Sequence, residues 1–219
     1  KVSWYLDEPF GNPTTTLNYI ISEFASRTSK VVLSGVGGDE MFGGYPKYKA
    51  LKIFEDFEKF PKSFVKKFGT VFQKIPDKTS ESVVKGKIFF DSWKDKPEDQ
   101  YFSLVSYFKE NDKRELLNFK ALPSRRFLDE LFLESKKCNA SSFFEKLFFV
   151  ENMSYLPNNI LEYTDKTSMA VSLEVREPLL DHKMAEFAAN IPFSLKIKNG
   201  SMKYILKLAM KDDLPKTVL

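Results

Sequence analysis

Residues 31–48, VVLSGVGGDEMFGGYPKY, set five glycines and an adjacent acid pair directly behind three aliphatic residues. Three consecutive aliphatics, preceded by polar residues and closed by Ser34-Gly35, have no helical period and read as a short buried strand. Upstream, Leu17, Ile20, Ile21 and Phe24 recur at helical spacing behind DEPFGNP, with Asn12 as a cap and Pro13 in the first turn. Helix, strand and glycine loop together make an α/β corner. Open α/β sheets place their ligands in loops beyond the carboxyl ends of strands, so this loop is the first place to look for chemistry.

From Lys47 to about Lys120 the pattern changes. Leu51, Phe54, Phe57 and Phe60, then Phe64, Phe68, Val71 and Phe72, predict amphipathic helices, and the helical spacing of Phe54, Phe57, Phe64 and Phe68 puts those four on buried stripes. Further helical periods run over Phe127–Leu133, Phe143–Val150, Ile160–Val171 and Met202–Met210, with Pro157, Pro178 and Pro192 as punctuation. One α/β corner feeding a mostly helical body suits a single domain over 1–219, a length that can bury a sizeable core.

Composition excludes several classes. Aromatic residues at 15% beside charged residues at 29% rule against disorder. With 34 basic residues against 30 acidic ones, positive charge is spread rather than massed, which argues against nucleic acid. Cys138 has no second cysteine to pair with and no histidine nearby in sequence, so it reads as a bystander thiol. His182 is the sole histidine, too few ligands for a conventional zinc site. No apolar run reaches the length of a membrane span, and the expected compartment is the cytoplasm. Lys1 opens the chain in place of a methionine, which predicts an excerpt of a longer protein, cut at both ends.

In the loop itself, Ser34-Gly35, Gly37 and Gly38 remove side chains so that backbone N–H groups can approach a ligand closely. Carboxylates beside a bare phosphate would repel it. A cation between them resolves this, because Mg²⁺ takes one or two carboxylates together with phosphate oxygens. Asp39 is then the ligand, and Glu40 binds outer-sphere or orients the loop. The same residues also suit a tight turn followed by an acid-rich helix start. Neither the P-loop nor the dinucleotide fingerprint is present, so the residues alone leave both readings open.

Four segments in order resemble the asparagine synthase family: DEPFGNPT, LSGVGGDEMFGGY, YLPNNILEYTDKTSMAVSLEVREPLLD and NGSMKYILKLA. Together they span nearly the whole chain. The resemblance implies an α/β fold, part of a nucleotide-binding sheet of the adenine nucleotide alpha hydrolase kind with a predominantly α-helical body, and places the chain in the carboxyl-terminal portion of the synthase domain. It implies ATP and Mg²⁺ as cofactors. The implied reaction activates aspartate as an acyl adenylate, releases pyrophosphate, and yields asparagine and AMP when ammonia attacks. A glutaminase domain upstream would supply the ammonia, and a homodimer is the assembly to test for. Carried over by position, Ser34 and Gly35 contact the nucleotide, Gly37 and Gly38 let the loop close, Asp39 and Glu40 hold the metal, and Lys203 reaches the phosphates. Glu174 and Arg176 either orient substrate or form a structural ion pair.

Two departures qualify this. Val36 occupies a position where bacterial relatives commonly carry an acid, and valine can neither take a proton nor bind ammonium, which leaves a related amidoligase acting on another carboxylate as an alternative. The family's first pyrophosphate loop, Ser-Gly-Gly-x-Asp-Ser, and its amino-terminal cysteine do not occur in these residues. Both lie upstream in the family, so this stretch alone is expected to be inactive; a non-catalytic binding module that keeps the fold is the competing expectation.

Overall fold

The computed structural model describes residues 2–57, 61–76, 80–91, 93–94, 96–108, 110–117, 125–140, 142–215 and 217. The chain divides into two compact units, one formed by Lys1–Gly44 with Leu131–Leu219 and the other by Tyr45–Glu130. The first unit opens with a short helix, α1 (Val2–Tyr5), and α2 (Thr14–Ala25). Asn12 starts α2 as expected: its Oδ1 accepts from the Thr14 N–H at 3.0 Å. The apolar stripe of α2, however, faces outward. Leu17, Ile20, Ile21 and Phe24 are 54–72% exposed, while Thr15, Tyr19 and Ser22 are buried. β1 (Val31–Leu33) follows, then α3 (Gly38–Phe42).

The second unit contains α4 (Pro46–Phe57), α5 (Lys62–Gln73), α6 (Glu81–Asp91), α7 (Pro97–Val105) and α8 (Glu110–Leu116). Tyr48, Leu51, Phe54, Val65 and Tyr101 are buried, and Phe54 meets Trp93 at 4.2 Å between ring centroids. α5 packs on α6 because Gly86 makes room: a Cβ there would run into the Phe72 ring. The expected burial holds for Phe54 but not for Phe64 and Phe68, which stack on each other at 6.3 Å yet are 56% and 47% exposed. α6 meets α5 through Phe90, which lies 5.9 Å from Phe68 and 5.5 Å from Phe72 between ring centroids, and leaves Phe64 outward. Phe60 and Lys120 lie outside the described residues.

α9 (Arg125–Glu134) returns the chain to the first unit, followed by α10 (Phe143–Met153), held at its start by a reciprocal box in which Ser142 Oγ accepts from the Glu145 N–H and Glu145 accepts from the Ser142 N–H. Pro157 does not interrupt this region. It sits in the first turn of a wide π-helical segment, Leu156–Leu161, where its missing N–H breaks no bond, and the chain runs on into α11 (Glu162–Met169). Next come β2 (Glu174–Arg176), a 3₁₀ turn at Pro178–Leu180, α12 (His182–Ala189), α13 (Phe193–Lys196) and α14 (Tyr204–Ala209).

Among the described residues the sheet has two parallel strands, with Val31 opposite Glu174, Val32 opposite Val175 and Leu33 opposite Arg176. Helices with a small parallel sheet are consistent with an α/β fold. The expectation of a buried strand is corrected here: Val31 is 42% and Leu33 74% exposed. These two side chains share one face of the strand, and α11 packs against the sheet and against α2, so among the described residues the face carrying them lies open. The same geometry turns α2 over. Its polar side meets α11, where Asn18 Nδ2 donates to Thr167 Oγ1 at 2.7 Å, and its apolar stripe is left outside. The core of this unit gathers instead around Leu6, Met41, Phe42, Leu156, Ile160, Tyr163 and Ala188. No described helix is long and apolar enough to cross a membrane.

Candidate active site

The glycine loop springs from the end of the β1–β2 ladder, where the Ser34 N–H donates to the Arg176 carbonyl at 2.8 Å. Ser34 Oγ then accepts from the Val36 N–H at 3.2 Å, folding the loop back on itself. Gly37 takes φ of 92°, and a Cβ there would run into Leu180. Both constraints demand glycine. Leu179 closes over the next residue, 3.1 Å from where a Gly38 Cβ would stand. The sequence-derived motifs therefore meet in space: the PLL segment after β2 lies on the loop after β1.

α3 carries the acid pair, and its two carboxylates diverge. Asp39 is partly open, and its Oδ1 lies 2.8 Å from Lys203 Nζ, with the side chains 39% and 31% exposed respectively. Glu40 is only 2% exposed and faces Tyr163, whose phenol is pushed up first by burial and then by the Glu40 charge. Asp39, not Glu40, is thus the carboxylate accessible to an incoming cation. The Asp39 carbonyl accepts from the N–H groups of Gly43 and Gly44 at 2.9 and 3.0 Å. A Cβ at Gly44 would stand where the Asp39 carboxylate and Lys203 Cε lie, so any side chain there displaces the pair. The role of Gly44 was not apparent from the sequence, although the glycine pair that contains it was.

Lys203 comes from the far end of the chain, at the cap of α14, with a left-handed backbone at φ 53° and ψ 33°. Of the expected site residues, the structure brings Gly38, Asp39 and Lys203 together: Lys203 Nζ stands 3.6 Å from the position of a Gly38 Cβ and 2.8 Å from Asp39 Oδ1, while Gly37 is buried under Leu180. Gly35 is exposed at the rim, with nothing within 4 Å of its Cβ position. Val36 is half-buried and packs against the apolar cluster of the unit. Arg176 and Glu174 form an exposed pair at 2.7 Å, which favours the ion-pair alternative. Cys138 is exposed.

Two further features escaped sequence reasoning. Lys166, in the TDK segment, donates to the Leu6 carbonyl at 3.1 Å and pairs with Asp7 at 3.2 Å and Glu162 at 2.7 Å, joining the DEPF and TDK segments. Lys196 is 4% exposed, with its ammonium 4.1 Å from the Phe148 ring centroid and its Cβ beside Gly43. Burial lowers its pKa from 10.5 to about 8, against an opposing pull from Glu145. Below about pH 8 folded and unfolded chains both hold this proton, and the cost of burying the charge is constant. Between about 8 and 10.5 the folded chain has released a proton that the unfolded chain retains, so stability rises with pH, by about 3 kcal/mol in all. Denaturant unfolding of the wild type should show this gain, and Lys196→Met should lack it; equal pH profiles for the two would disprove the assignment.

The donor set suits a small hard cation that arrives with phosphate oxygens. Among the described residues no group of three or more His, Cys, Asp or Glu side chains forms a complete metal cage. One open carboxylate beside a lysine fits Mg²⁺, which keeps several waters and takes the rest of its ligands from substrate phosphate.

A family model described as asparagine synthase matches residues 1–219. The chain is 31% identical over 219 residues to asparagine synthetase (glutamine-hydrolyzing) 1 of Bacillus subtilis, covering 100% of this chain and 34% of that protein. It is 30% identical over 223 residues to a putative glutamine-hydrolyzing asparagine synthetase of Mycobacterium tuberculosis, covering 100% of this chain and 33% of that one. A more distant relative, amidase chyE of Penicillium rubens, is 26% identical over 83% of this chain and 30% of its own length. The chain thus spans about a third of the length of the curated relatives it matches. No solved structure matches.

Proposed function

The chain belongs to the asparagine synthase family, and from that premise we propose that Asp39, Lys203 and the glycine loop form one side of an ATP-dependent, amide-forming site. The observation that carries this reading is the 2.8 Å pair between Asp39 and Lys203, set beside a loop in which Gly35 stands open while Leu180 and Leu179 close over Gly37 and Gly38. Both partners are partly exposed, and such pairs contribute only about 0–1 kcal/mol. Opening the pair to admit a metal–phosphate group is therefore cheap.

In this reading Asp39 would hold Mg²⁺, and Lys203, freed from Asp39, would place its ammonium against the departing pyrophosphate. A compact charge on a long stem suits that task. Bound there, Mg²⁺ would supply neutralisation of charge on the phosphate oxygens. Glu40, buried against Tyr163, keeps α3 in place rather than binding metal. The acid activated is aspartate, as an acyl adenylate, with ammonia from a glutaminase of the same enzyme completing the amide; likeness to glutamine-hydrolyzing asparagine synthetases supports the amide product and the use of glutamine by the whole protein. The absence of an acid at position 36 leaves a second reading, in which another carboxylic acid is adenylated.

The test is exchange of labelled pyrophosphate into ATP by the intact gene product. Exchange that depends on added aspartate is the expected result. Exchange supported by a different carboxylic acid, with aspartate inert, selects the second reading. No exchange with any acid, while Mg²⁺-pyrophosphate still binds, would make the protein a binding module.

A further inference from the structure

We propose that Asn199 is a positioning residue for Lys203, and that the segment from Lys198 to Lys203 holds the lysine ammonium over Asp39 before any ligand arrives. This rests on the reading of Asp39 and Lys203 given above. Lys198 and Ser201 face each other as an antiparallel bridge: the Lys198 N–H donates to the Ser201 carbonyl at 3.1 Å, and the Ser201 N–H to the Lys198 carbonyl at 2.8 Å. The two residues between them, Asn199 and Gly200, have φ of 50° and 75°. That left-handed pair closes a two-residue reverse turn, and Asn-Gly is the sequence that adopts it with least strain.

Lys203 is left-handed in its turn. For a residue with a Cβ this backbone is unfavourable, and it persists only where the surroundings over-determine it. Here they do. The Lys203 carbonyl accepts from the Lys207 N–H at 2.9 Å, opening α14, and the ammonium at the other end of the residue is held by Asp39. The Lys198 ammonium lies 5.1 Å from the Tyr204 ring centroid and ties the turn to the first residue of α14. A right-handed backbone at Asn199 would open the turn, change where the chain enters α14, and so redirect the Lys203 side chain.

The measurement is Mg²⁺-pyrophosphate affinity of the intact gene product by isothermal titration, beside its melting temperature. Valine strongly disfavours the left-handed region, whereas glycine enters it freely. Asn199→Val should weaken binding about tenfold, matching Lys203→Ala, while Asn199→Gly stays within about twofold of wild type. In a Lys203→Ala background Asn199→Val should add nothing, because the group it positions is gone. Wild-type affinity in Asn199→Val, or an equal loss with and without Lys203, would overturn the proposal. If Asn199→Val does not fold, Asn199→Ala takes its place with the same two outcomes. Should Asp39→Asn and Lys203→Ala themselves leave affinity unchanged, it is the site reading that fails, and the positioning role falls with it.

Discussion

Replacing Asp39 by Asn is expected to weaken Mg²⁺-pyrophosphate binding about tenfold to a hundredfold, the loss that goes with about 1.5–3 kcal/mol for an interaction to a charged group. The direction should reverse in the absence of metal. Asp39 pairs with Lys203 at 2.8 Å in the protein alone, so Asp39→Asn releases the ammonium, and metal-free pyrophosphate should bind no worse than to wild type. Lys203→Ala, by contrast, should weaken both forms, because it removes the positive charge that the anion meets with or without a metal. Stability is a separate readout. Because the pair is partly exposed, its loss should cost at most about 1 kcal/mol, a shift of roughly 2–4 °C for a chain of this size. Isothermal titration with and without Mg²⁺, beside thermal melts, reads all of this. Unchanged Mg²⁺-pyrophosphate affinity in both variants would remove Asp39 and Lys203 from the site.

Gly44→Ala is expected to match that loss without touching either charge. The added Cβ would overlap the Asp39 carboxylate and Lys203 Cε. Both obstructing groups are ends of flexible side chains, and Gly44 is not among the glycines with positive φ, so the backbone can accept alanine while the pair is forced apart. Mg²⁺-pyrophosphate affinity should fall about tenfold or more, with a melting temperature within a few degrees of wild type. Gly11→Ala is the control, since nothing stands within 4 Å of its Cβ position; it should leave affinity unaltered. Wild-type affinity in Gly44→Ala would mean that the pair is not required in this arrangement.

Much of the local structure was legible from residue order. The start of α2 at Asn12, the strand at 31–33, the glycine loop and the amphipathic helices all follow from spacing, capping and turn chemistry, which act between neighbours. The same reasoning misjudged which face of an element is buried. Leu17, Ile20, Ile21 and Phe24 share one side of a helix by periodicity, but periodicity carries no sign: α11 packs on the polar side, and the apolar stripe is exposed. On α5 the apolar side is the one that packs, Phe68 meeting Phe90 at 5.9 Å between ring centroids, yet Phe64 and Phe68 stay exposed, and Val31 and Leu33 share an exposed face of their strand. Pro157 punctuates the residue order yet opens a π-helical turn, because a missing N–H costs nothing in a first turn.

For the site, the residue types and their motifs were available in the sequence, and so was the family. What residue order carries is the choice of glycines, an acid pair and a lysine, since each is dictated by backbone freedom or charge at its own position. Which acid is open and which is buried against Tyr163, the reason Gly44 has no side chain, and the aim of Lys203 through a left-handed backbone belong to the tertiary structure alone. They depend on how residues distant along the chain exclude one another in space, and short-range chemistry has no term for that.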